Sequence, residues 1–361
     1  VGIGNRLNFS ELRQSWPLPA APCPIVIIGA GGIVHDAHLP AYRRLKFPVK
    51  GIFDLDQAKA EALAKKFEIH KVYRSLDEAA AESGVVYDIA VQTKGVAAIL
   101  AKLPEKAFVL TQKPLGENLE QAKTILEASK RRGQQLAVNF QLRFSPNMLA
   151  LLDAVKKGWL GALTDLDVRV VIDQPWALWG YLKGLPRVEM VYHSVHYIDL
   201  IRLILGEPQG VQALGVGHPE LEGFADTRSS IILDYGDRLR CSLLLNHTHR
   251  RGSKHQVSQL MLEGLQGAAV ATMGVNLNYP KGEPDRLELS TGADGWQDLP
   301  LRGSWFTEAF EGPMSNLQRF ASGEDASLVS GVDDAIKSMA VVEACYLSGL
   351  QRGLPIPSIQ D

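Results

Sequence analysis

The stretch Pro24-Ile-Val-Ile-Ile-Gly-Ala-Gly-Gly-Ile-Val34 constrains the fold of this 361-residue chain more than any other. Residues 25–28 are an apolar run with no polar alternation, the pattern of a strand buried on both faces. The run ends in Gly29-Ala30-Gly31-Gly32-Ile33, and helical spacing follows. A glycine turn between a buried strand and a helix is the dinucleotide-binding fingerprint. Gly29 permits the turn and Gly31 lets the backbone approach a pyrophosphate. The free N–H groups at the helix start, with Gly32 and Ile33, favour an anion. Val34 stands where the fingerprint has Gly or Ala, the position that sets how closely helix and strand pack.

A second strand, 49–54, ends in Asp54, 25 residues after Gly29. That is close to the spacing expected of the acid that accepts hydrogen bonds from the adenosine ribose hydroxyls. A carboxylate there repels a 2′-phosphate, and Leu55 beside it offers no compensating charge. NAD is therefore expected, and NADP is disfavoured. Further strands are expected near 87–92, 107–112 and 136–140, separated by helical segments. Such alternation predicts an α/β unit with a doubly wound parallel sheet. Gln92-Thr93 and Gln112-Lys113 fall at carboxyl ends of its strands, the edge where ligands bind.

After residue 144 the pattern changes. A helix to about Lys157, a strand over 163–173, a loop with Trp176, Trp179 and Tyr181, and a helix over 189–205 come first. Strands at 209–216, 229–235 and 238–246 then follow without intervening helices. A further pair is expected near 259–263 and 268–273, and a final helix near 331–349. The second half is expected to be α+β, built on a large, mostly antiparallel sheet. The division is an N-terminal arm over 1–23, a dinucleotide-binding unit over 24–143, and a substrate-binding and oligomerisation unit over 144–361. The arm is expected to pack on the surface or on a partner subunit.

Net charge is −2, so nothing electrostatic favours nucleic acid or an anionic membrane as partner. No apolar run approaches the roughly 18 residues of a membrane span. The three cysteines are far apart and in no ligand spacing, which fits reduced thiols and a cytoplasmic protein. The chain begins with Val, which leaves room for a processed leader.

Four further places carry a resemblance. They are His38-Leu39-Pro40-Ala41 after the glycine turn, Gln112-Lys113-Pro114-Leu115, Asn139 to Pro146 with Gly158-Trp159-Leu160-Gly161, and Val195-His196-Tyr197-Ile198-Asp199 leading to Leu205-Gly206-Glu207-Pro208. With the closing segment from Glu343 to Pro355, the chain from Pro24 onward resembles the glucose–fructose oxidoreductase / inositol dehydrogenase / MocA (Gfo/Idh/MocA) family. The resemblance implies a Rossmann unit with a C-terminal sheet, and NAD-linked oxidation of a sugar or polyol secondary alcohol. It implies that Lys113 lies near the nicotinamide and the reacting carbon, as the lysine of the family's Glu-Lys-Pro motif does. It implies that His196 takes the hydroxyl proton.

The family carries an Asp four residues before that His; here Tyr192 stands there. Tyr192, His196 and Asp199 are spaced to share a helix face, with Asp199 placed either to orient the imidazole or to cap or bridge structurally. Gln112 replaces the family's Glu, and Gln92-Thr93-Lys94-Gly95 replaces its usual cofactor loop. Gln141, Arg143, Trp176, Trp179 and His193 are candidate substrate contacts; Trp176 and Trp179 fit a sugar-stacking role or one as core or interface aromatics equally well. No metal site is expected, because Glu189, His193 and His196 on one helix rarely close one. A homodimer or homotetramer through the C-terminal sheet is expected. Two other functions remain open: a non-catalytic sugar or dinucleotide sensor, and a reductase of an imine-type substrate.

Overall fold

The computed structural model describes residues 8–278, 281–292 and 295–357. Strands β1 (Ile25–Ile28), β2 (Val49–Phe53), β3 (Val86–Ile89), β4 (Phe108–Gln112) and β5 (Gln135–Asn139) form a parallel sheet in the order β2-β1-β3-β4-β5. Every residue of β1 and β3 is buried, which is why neither alternates. Helices α1 (Leu39–Leu45), α2 (Gln57–Phe67), α3 (Leu76–Ala80), α4 (Thr93–Lys102) and α5 (Leu119–Arg131) connect the strands. Side chains of Asp56, Ser75 and Asn118 accept hydrogen bonds from the first turns of α2, α3 and α5, as N-caps do. The helix after the glycine turn is not uniform: a π turn over Val34–His38 precedes α1.

The second sheet has eight strands: β6 (Leu163–Val171), β7 (Gly210–Val216), β8 (Arg228–Asp234), β9 (Arg240–Asn246), β10 (Val257–Gly264), β11 (Ala268–Thr272), β12 (Arg286–Ser290) and β13 (Gln297–Asp298). Their order is β13-β12-β11-β10-β6-β9-β8-β7, antiparallel throughout except for β6 beside β9. Inward residues of these strands, such as Val168, Val170, Leu243 and Leu245, share one core with α6 (Pro146–Lys156), α7 (Val195–Leu205) and the last helix. A second π turn, Met190–Ser194, leads into α7.

Two parts of the chain depart from the division expected of the sequence. Helix α8 (Glu311–Ala321), not foreseen, packs back on the parallel sheet: Phe310, Met314 and Leu317 join the core of Ile25, Ile27 and Leu110. Its Gly312, Pro313, Ser315 and Asn316 are poor helix formers that blur a helical pattern. Before the last helix, α9 (Val332–Leu350), the chain runs beside β5, and Val138 N–H donates to the Ser330 carbonyl at 2.8 Å. Residues 310–331 therefore complete the first unit rather than the second. Of the N-terminal arm, residues 8–23 are described and lie on their own chain, while residues 1–7 fall outside the described residues. Trp16 Nε1 donates to Asp325 at 2.9 Å, its ring meets Phe144 edge-on, and Cys23 N–H donates to Gln318.

Candidate active site

The glycine turn has the shape that the residue types require. Gly29 has φ +113°, and a Cβ there would lie 2.4 Å from the Ala90 carbonyl oxygen, so only glycine fits. At Gly31 a Cβ would meet nothing within 4 Å, leaving open space over the first turn; Val34 and His35 N–H donate to the Gly31 carbonyl, and the N–H groups before them, through Ile33, precede the helical ladder. Val34 is fully buried under this turn. Asp54 follows β2 and faces the turn: Oδ2 accepts from Ala30 N–H at 2.6 Å and Oδ1 from Asp56 N–H at 2.8 Å. Leu55 is exposed. An open cradle of backbone donors with a carboxylate beside it fits a dinucleotide, whose pyrophosphate the residues from Gly31 to Ile33 would hold.

The other sheet-edge candidates fall along the same carboxyl edge. Gln92 is the N-cap residue of α4, and Thr93, buried in its first turn, has an Oγ1 without a partner. Gln112 ends β4, and its amide donates to His38 Nε2. His38, to which the sequence assigned no chemistry, is buried. Its Nδ1 lies 2.6 Å from Asp88 Oδ2, and Tyr42 donates to the same oxygen at 2.8 Å. A hydrogen on Nδ1 and a lone pair on Nε2 satisfy the contacts to Asp88 and Gln112 together. An ionised Glu at position 112 has no donor for that lone pair, so the Gln112 amide suits a His38 whose Nε2 accepts.

Lys113 crosses from the parallel sheet to the second unit. Its Nζ donates to the Tyr192 carbonyl at 2.9 Å, within the π turn before α7. Burial pulls the ammonium down to about 8. His196, in the first turn of α7, is buried with Trp305 edge-on at 5.7 Å, and its Nδ1 has no hydrogen-bond partner. Burial first, then the Lys113 charge, holds its pKa well below the usual imidazole value. Burial also raises the Tyr192 phenol above its ordinary range. The sheet edge and α7 thus meet at Lys113, Tyr192 and His196.

Several site expectations are corrected. The π turn over Met190–Ser194 widens the helix beyond 3.6 residues per turn, so Tyr192 does not keep the ideal-helix spacing to His196 and Asp199, which both lie in α7. Asp199 does not orient His196: its oxygens lie 2.5 and 2.6 Å from the Arg143 guanidinium and accept from Ser338 at 2.9 Å. Arg143 is correspondingly no substrate contact. It is buried, and it also binds Asp334 and the Val329 carbonyl, each at 2.6 Å. Trp176 is buried too, with its indole N–H on the His247 carbonyl at 3.0 Å and its ring against His193 and Phe224. It has no face left for a sugar ring. Trp179 is half-buried at the edge of the same cluster, and Gln141 is buried with Oε1 unpaired.

His193 follows Tyr192 in the π turn. It stacks on His247 at 4.4 Å, and both imidazoles approach the fully buried Glu189. His196 has no part in this group; its third member is His247, just beyond β9. No spacing signal links positions 193 and 247, since only the register of the large sheet brings them together.

Residues 23–140 match the sequence model described as "Oxidoreductase family, NAD-binding Rossmann fold". Over these residues, about a third of the chain, the sequence matches the Gfo/Idh/MocA family of oxidoreductases. The chain is 29% identical over 346 residues to the uncharacterized protein YMR315W of Saccharomyces cerevisiae, a match over 92% of this chain and 97% of that one. Its fold matches an oxidoreductase from Agrobacterium radiobacter solved with NAD+, L-tartaric acid and magnesium: TM-score 0.76 at 20% identity, over 91% of this chain and 97% of that one. It also matches levoglucosan dehydrogenase solved with NADH and levoglucosan, with TM-score 0.75 at 16% identity, over 92% of this chain and 98% of that one. Among the described residues no helix is long and apolar enough to cross a membrane.

Proposed function

We propose that this chain is an NAD-dependent oxidoreductase that acts on a secondary alcohol of a sugar or polyol. The observation that carries the reading is the 2.9 Å contact of Lys113 Nζ with the Tyr192 carbonyl. It sets the lysine of the dinucleotide unit against the helix that bears His196, so a substrate in this cleft meets both. Bound NAD supplies the hydride acceptor. Lys113 holds the hydroxyl oxygen and favours its deprotonation; neutral His196 accepts the proton at a ring nitrogen. Tyr192 donates a hydrogen bond and is too weak an acid to serve as the base near neutral pH. The levoglucosan and tartrate bound by the structural neighbours are hydroxylated small molecules of this class. A panel of sugars, inositols and sugar acids with NAD and NADP, read at the absorbance of reduced nicotinamide, tests the reading. NAD-linked turnover of a polyhydroxylated compound is expected. Dinucleotide binding with no turnover of any compound points to a sensor instead.

Asp54 is proposed to select NAD. Asp54→Ala should weaken NAD binding by about 1.5–3 kcal/mol, the loss of hydrogen bonds to a charged acceptor, and narrow the preference over NADP. Dissociation constants for both dinucleotides check this, and unmutated protein that binds NADP as well as NAD contradicts it.

Assembly through the large sheet is proposed on its outer face. There Leu214, Ile232 and Leu244 are exposed on adjacent strands β7, β8 and β9. An apolar strip on an open sheet face suits a second copy. Light scattering at micromolar concentration should give a dimer or tetramer, and Ile232→Lys should shift it toward monomer. A monomeric unmutated chain contradicts the assignment.

A further inference from the structure

The buried group Glu189, His193 and His247 has a use that alcohol oxidation by Lys113 and His196 leaves unfilled. Glu189 is fully buried at the start of the π turn, and His193 lies one turn on. His247 arrives from the end of β9, held by the Trp176 indole on its carbonyl and by its own N–H on the Thr227 carbonyl. Glu189 Oε2 lies 2.8 Å from His247 Nδ1 and 3.4 Å from His193 Nδ1. The three atoms lie within 4.8 Å of one another. Oε2 and both Nδ1 atoms are buried, and although Oε2 is within ion-pair distance of both rings, none of the three makes a hydrogen bond of good geometry. The rings stack at 23° between their planes. Three buried polar atoms that face one another without well-formed hydrogen bonds are under-satisfied. They are what a shared cation would satisfy.

We infer that Glu189 Oε2, His193 Nδ1 and His247 Nδ1 bind one Zn²⁺ ion. Two imidazoles and a carboxylate are a zinc donor set. Bonds of about 2.0–2.2 Å in a tetrahedron put ligand atoms about 3.3–3.5 Å apart, which the 3.4 Å from Oε2 to His193 Nδ1 matches, while the 2.8 Å to His247 Nδ1 would open slightly around an ion. The supporting contacts are already made. The Ser194 hydroxyl donates to Glu189 Oε1 at 3.1 Å and lies 3.2 Å from Ser229 Oγ, which turns Oε2 toward the imidazoles. Such outer hydrogen bonds orient ligands in metal sites. Three protein ligands leave a fourth position for water or an oxygen of a bound molecule.

The test reads metal and not turnover, so its outcome is separate from that of the alcohol-oxidation reading. The full chain, stripped with chelator and dialysed, is titrated with zinc by calorimetry. One ion per chain is expected. Glu189→Gln, His193→Ala and His247→Ala should each weaken binding by at least about 100-fold, since outer-sphere changes alone cost 10–100-fold. Thermal melts establish that the variants fold. For a variant that does not, cobalt(II) loading of the unmutated chain gives a second readout. The strong visible bands of a four-coordinate site are expected, and zinc should displace them. Absence of saturable zinc binding by the unmutated chain overturns the proposal. So does zinc binding that survives unchanged in a folded His193→Ala/His247→Ala protein, and so do cobalt spectra of a six-coordinate aqueous ion only.

Discussion

His196→Ala should lower turnover by about 10²–10⁴-fold, the usual contribution of a positioned acid or base. NAD affinity should hardly change, because the glycine turn and Asp54 lie on the other unit and make no contact with His196. Lys113→Ala should remove most activity as well, with some loss of NAD affinity, since Lys113 sits at the sheet edge. Tyr192→Phe separates two roles. A modest fall fits a hydrogen-bond donor, whereas a fall comparable to that of His196→Ala means that the phenol moves the proton. Steady-state kinetics on the best substrate, with NAD titrated separately by fluorescence, measure all three. Near-normal turnover in His196→Ala removes it as the base.

Arg143→Ala should destabilise the chain by about 3–5 kcal/mol, the cost of leaving a buried charge without its partner. Asp199 is the charge left behind: it is buried, and both of its oxygens face the Arg143 guanidinium. Asp334, half-exposed and shared with Arg202 at 2.9 Å, loses only part of its support. The paired change Arg143→Met/Asp199→Leu should recover much of the loss, because apolar side chains can replace a buried ion pair at little net cost. Urea unfolding midpoints read this directly. A stable Arg143→Ala protein with a raised KM would instead restore the substrate contact expected of the sequence.

The case of Arg143 shows where the sequence is legible and where it is not. The glycine turn, Asp54 and the strand ends that carry Gln92 and Lys113 are local features. A buried strand, a turn that only glycine can make, and a fixed distance to the next strand end are written within 30 residues. Lys113 was legible for the same reason. Arg143 and Asp199 were not, because two charged residues 56 positions apart look like site residues until burial shows that each consumes the other. The π turns at Val34–His38 and Met190–Ser194 are equally hidden. Hydrophobic spacing assumes 3.6 residues per turn, and one wide turn changes which side chains share a face. His247 depends on sheet register, and α8 on a return of the chain to a core begun near residue 25.

The central claim is that the cleft between the parallel sheet and α7 is the reaction site, with Lys113 from one unit and His196 from the other. A crystal structure of the chain grown with NAD tests it most directly. The account predicts pyrophosphate density over Gly31–Ile33, the adenosine ribose on Asp54, and the nicotinamide ring in the cleft beside Lys113 and His196. A dinucleotide bound with its nicotinamide directed away from both residues would contradict it.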